Sequence, residues 1–66
     1  MYPNIKAEMA RRNITMTDLA EHLGITLGTL SLKMQGKSGW LYKEALRIKQ
    51  YLGVDMPLEV LFAEAA

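Results

Sequence analysis

The chain has 66 residues, half of them apolar, and a formal net charge of +1. A chain this short hides only about 60% of the surface its unfolded form exposes, so it can build one small core. Without cysteine it has neither a disulfide framework nor a thiolate metal site, and no run of about 18 apolar residues is present to span a membrane or lead secretion. The expectation is a cytoplasmic protein with one domain, residues 1–66.

Helical apolar spacing, interrupted by Gly24, Gly36 and Gly53, predicts five helices in chain order. Asn4 is expected to cap the first, with Ile5 and Met9 on its inner stripe, Arg11 and Arg12 near its negative end, and Asn13 closing it. Thr15 caps the second, with Asp18 three residues later in a capping-box-like spacing, and Leu19 and Leu23 facing inward to Gly24. After Ile25 a third helix starts at Thr26 and carries Leu30 and Met34 to Gly36. Lys37-Ser38-Gly39 reads as a loop. Leu41, Ala45, Ile48 and Leu52 form the inner stripe of a fourth helix that Gly53 ends, and a short fifth follows Pro57 with Leu58, Leu61 and Phe62 as apolar anchors. Nothing alternates like a strand, so the predicted class is all-α.

Between Met16 and Gly36 two short helices are joined through Gly24-Ile25, too few residues for anything but a steep crossing. Ala20 is small where the crossing helix must pass, and Gly24 can take the positive φ that reverses the chain. Leu19, Leu23, Ile25 and Leu30 fill the wedge, which makes the pair a helix-turn-helix. Charge follows the same organisation. From Lys33 to Lys49 five cations face one carboxylate, Glu44, whereas from Asp55 onward only acids occur. A basic centre and an acidic tail point the two regions at different partners.

These residues resemble the phage repressor and Cro-like, or XRE-like, helix-turn-helix family over nearly the whole chain. Thr15 to Ile25 is similar to that family's second helix and turn, Thr29-Leu30-Ser31 with Gly36-Lys37 to its recognition helix and exit, and Ala45-Leu46-Arg47-Ile48, Tyr51-Leu52-Gly53-Val54 and Leu61-Phe62 to its later helices. The resemblance implies a lambda-repressor-like five-helix bundle that controls transcription by binding duplex DNA, usually as a homodimer on a palindromic operator. It puts Thr26, Leu27, Gly28, Ser31 and Leu32 on the face entering the major groove. It puts Met16, Thr17, Lys33, Lys37 and Ser38 on the DNA backbone, with Lys43 as a further phosphate contact. The chain departs from the family pattern in lacking glutamine at Met16 and polar base readers at Leu27, Gly28 and Leu32. Bidentate groups carry most base discrimination, so the expectation is a reader biased toward thymine-methyl contacts and DNA shape, or one with weak specificity.

His22 is the sole histidine and has no companions for a metal site or a catalytic pair, so it reads as an exposed helix residue. Trp40 is expected to cap the core, and Met9, Met16, Met34 and Met56 to pack. No catalytic residue, cofactor, metal or small-molecule ligand is indicated. Leu58, Leu61 and Phe62 supply more apolar surface than one short helix needs, which points to a two-fold dimer contact away from DNA. The rival class is a protein-interaction module in which the helix-turn-helix is only a scaffold and Leu27 and Leu32 form an apolar docking patch.

Overall fold

Local signals set most of the helix boundaries in the computed structural model, which describes residues 1–64. Five helices follow one another: α1 Pro3–Arg11, α2 Met16–Leu23, α3 Leu27–Met34, α4 Tyr42–Leu52 and α5 Leu58–Leu61, with no strand among the described residues. The Thr15 hydroxyl accepts the Asp18 N–H at 3.1 Å and the Asp18 carboxylate accepts the Thr15 N–H at 3.0 Å, closing the expected capping box. The Thr15 N–H first, and its side chain second, hold the Asp18 carboxyl below the usual carboxylate range. At the other end of α2, Gly24 adopts φ 72° and ψ 30°, and the Ile25 N–H returns to the Ala20 carbonyl at 3.1 Å. This left-handed cap turns the chain directly into α3, whose N-cap is Thr26.

The start of α1 differs from the expectation at Asn4. Pro3 takes the first helical position, where its missing N–H is harmless, and Tyr2 is the N-cap in a left-handed conformation with φ 53°. Asn4 instead donates its side-chain amide to the Val60 carbonyl at 2.8 Å, tying α1 to α5. Arg11 and Arg12 both reach the carboxylate of Glu8, a buried residue on their own helix, the Arg12 pair at 2.7 Å. Asn13 closes the helix with φ 54°, as a residue tolerant of left-handed backbone can.

Ile5, Leu19, Leu30, Ile48, Leu52 and Leu61 are completely enclosed, and every helix contributes at least one of them. Helix α2 packs on both α3 and α4, while α5 bridges α4 and α1. Ala20 is buried, as its place in the α2 stripe requires. Trp40 is half-buried and meets Tyr2 and Phe62 edge-on, with ring centroids 5.9 and 5.3 Å away. Edge-to-face pairs add about 0.5–1.5 kcal/mol each beyond burial, so this aromatic cluster fastens both chain ends to the loop before α4. Leu41 departs from its predicted inner position. It is the N-cap of α4, outside the helical stripe, and 56% exposed.

Candidate nucleic-acid interface

Helix α3 has two unlike faces. Leu30, Lys33 and Met34 turn into the core, while Thr26, Leu27, Gly28, Thr29 and Leu32 are exposed and Ser31 is half-buried. The five residues expected to face bases therefore lie together on the outward side of the helix and at its cap. Leu27 and Leu32 are each 48% exposed, and a Cβ built on Gly28 meets nothing, so this surface is open. Its hydroxyls take part in local hydrogen bonds. The Thr26 hydroxyl accepts the Thr29 N–H at 3.1 Å and donates to the Thr29 hydroxyl at 2.9 Å, and Gln35 donates its amide to the Ser31 hydroxyl at 3.0 Å.

Lys33 does not join that surface, which corrects its expected phosphate role. It is buried, donating from Nζ to the Glu44 carboxylate at 2.9 Å and to the Gly39 carbonyl at 2.8 Å, with its ammonium 5.7 Å from the Trp40 ring centroid. The same Glu44 oxygen accepts the Leu41 N–H at 2.9 Å. Burial pushes the Glu44 carboxyl up, but the Leu41 N–H and Lys33, with help from Lys43, outweigh it and hold the group below the usual carboxylate range. Lys33 thus locks α3, the following loop and α4 to one another. Two signals pointed there: its position beside Leu30 and Met34, and Glu44 at the N3 position of a helix starting after Leu41.

The other cations stay outside. Lys37 is exposed and Ser38 half-exposed in the loop that leaves α3. Lys43 is exposed on α4 and, with Arg47, lines a groove of about 250 Å³ beside Leu23 and Ile25 at the α2–α3 turn. Positive groups therefore stand near both ends of α3, and Arg47 is a candidate that sequence reasoning did not single out. At the start of α2, Thr17 is exposed, whereas Met16 is half-buried against the core and presents backbone rather than a polar side chain. Among the described residues no three His, Asp or Glu side chains group to hold a metal, and no helix is long and apolar enough to cross a membrane.

The model of the Cro/C1-type helix-turn-helix DNA-binding domain matches residues 4–61. The chain belongs to that family. Its α2 and α3 are accordingly the helix-turn-helix pair of a DNA-binding domain, whose partner is DNA. No curated protein and no solved structure matches the chain. In this Cro/C1-type domain the expected dimer residues separate. Leu61 is fully enclosed in the protein's own core and is not a surface contact, because the single turn of α5 must drive one apolar side chain between α1 and α4. Leu58 and Phe62 are half-buried and line a groove of about 420 Å³ with Tyr2, Trp40, Leu41 and Tyr42.

Proposed function

We propose that this Cro/C1-type domain is a sequence-specific transcriptional regulator of the phage-repressor kind, binding a palindromic operator as a homodimer. Helix α3 lies in the major groove with Thr26, Leu27, Gly28, Ser31 and Leu32 toward the bases. Lys37, Ser38, Lys43 and the backbone amides of Met16 and Thr17 meet phosphates, fixing register without reading sequence. The observation that carries this reading is the open outward face of α3 with cations near both of its ends.

The second copy sits against the groove beside α5. Leu58 and Phe62 line it, Leu41 and Tyr42 are exposed at 56% and 72%, and Val60 nearby is 44% exposed. The lining is mostly apolar, and an isologous contact would cover it on both copies. The nearest charges there, Glu59 and Glu64, are acidic, which keeps this side off DNA.

Selection of bound fragments from random duplex DNA tests the reading. The expected product is a motif of two inverted half-sites whose centres lie about 10 base pairs apart. Failure to enrich any motif, with no retention of duplex at low salt, would refute it and favour the interaction module built on Leu27 and Leu32.

A further inference from the structure

The reading face of α3 is short of free hydrogen-bonding groups, and this bears on what it reads. Thr26 and Thr29 satisfy each other, and Ser31 is engaged by Gln35. Only the Thr26 O–H is spent as a donor; Thr29 and Ser31 accept and keep theirs, but a hydroxyl offers a single contact where discrimination needs two. The groups left projecting are Leu27, in the first turn, and Leu32, about 7.5 Å further along the axis at 1.5 Å per residue. Gly28 lies on the outward arc between them with open space where a side chain would stand, so the helix backbone can approach base edges closely. On the major-groove floor one apolar group is available for such a surface, the C5-methyl of thymine.

We infer that α3 recognises its site through pyrimidine C5-methyl groups, with Leu27 and Leu32 each covering one, so that the ligand class is thymine-bearing major groove rather than a donor–acceptor pattern. This rests on the proposed placement of α3 in that groove. Phosphate contacts by Lys37 and Lys43 hold the helix there, and Gly28 lets it sit deep enough for two leucines to reach. A protein partner would equally cover two leucines, but it would leave the exposed cations near the ends of α3 without a counterpart.

The test replaces thymines of a selected site, one at a time, by deoxyuracil, which removes the methyl and keeps the base pair. The expected result is a loss of roughly fourfold at each of two positions per half-site, the value of burying one carbon, with the salt dependence unchanged. Leu27→Ala and Leu32→Ala should each abolish the thymine–deoxyuracil difference at one of those positions, at an unchanged melting temperature because both side chains are half-exposed. Affinity within twofold of the thymine site at every position, or a leucine variant that keeps the difference, would overturn the inference while leaving groove binding intact. Absence of binding to any duplex would instead overturn the placement of α3 in DNA, and the methyl reading with it.

Discussion

Replacing Lys33 by methionine keeps an unbranched chain of similar length and removes the charge. In the native protein one Glu44 oxygen accepts both Lys33 Nζ and the Leu41 N–H at 2.9 Å, and the two charged side chains are 9% and 10% exposed. Breaking a buried pair by deleting one partner costs about 3–5 kcal/mol, and this rim of exposure places the loss near 3. A 66-residue chain at roughly 0.05–0.15 kcal/mol per residue has a total of some 3–10, so Lys33→Met should unfold on the order of 12–24 °C lower. The loss also depends on pH. The native Glu44 carboxyl lies below its ordinary 4.5, so its stabilisation is complete above that value and is lost as pH falls through the depressed one. In the variant the lowering influence of Lys33 is gone, while burial still raises the carboxyl against the Leu41 N–H and Lys43. The folded carboxyl then titrates higher than in the native protein, so the difference between the two shrinks on acidification. Thermal and urea unfolding at neutral pH and near pH 4 should show the gap between native protein and variant narrowing, and Lys33→Met with Glu44→Gln should recover part of the loss. A loss under about 1 kcal/mol, or a gap equal at both pH values, refutes this account of the lock.

Ala20→Leu forces a large side chain into the buried stripe of α2, and overpacking of this kind costs about 1–3 kcal/mol; an unchanged melting temperature would refute the helix pairing. Thr15→Ala removes the acceptor of the Asp18 N–H and should cost about 0.5–2 kcal/mol in urea unfolding. The Thr15 N–H, the larger influence lowering the Asp18 carboxyl, stays in the variant and only the smaller side-chain influence goes, so the variant should be slightly less acid-sensitive than the native protein. Lys37→Ala should fold normally, weaken binding to all duplexes alike, and reduce the salt slope by about 0.9; a change confined to one sequence would make Lys37 a base reader.

What was legible in the chain was what is local. The Thr15 and Asp18 caps, the left-handed Gly24 and the stripe of Leu19, Leu23 and Leu30 lie within a few residues of the elements they define, so α2, α3 and their turn follow from spacing alone. The outward position of Leu27 and Leu32 came from the family resemblance, and the structure leaves both half-exposed. Lys33 was misread because its partner stands eleven residues away across a loop, and charge type alone does not reveal that a lysine is covered. Asn4 and Leu41 were misplaced by one or two residues at helix starts, where Pro3 at the first position and Glu44 reaching back to Leu41 decide the boundary. Leu61 could not be told from Leu58 because a four-residue helix has no period to read. The aromatic cluster of Tyr2, Trp40 and Phe62 joins both ends of the chain, a contact no window of sequence contains.

Equilibrium binding of duplex DNA over a series of salt concentrations bears most directly on the role of α3 and its flanking cations. With Lys37, Lys43 and Arg47 each neutralising one phosphate, log K should fall with log salt at a slope of roughly −2.7 per subunit. A slope near zero, or no binding to any pooled duplex at low salt, would contradict it.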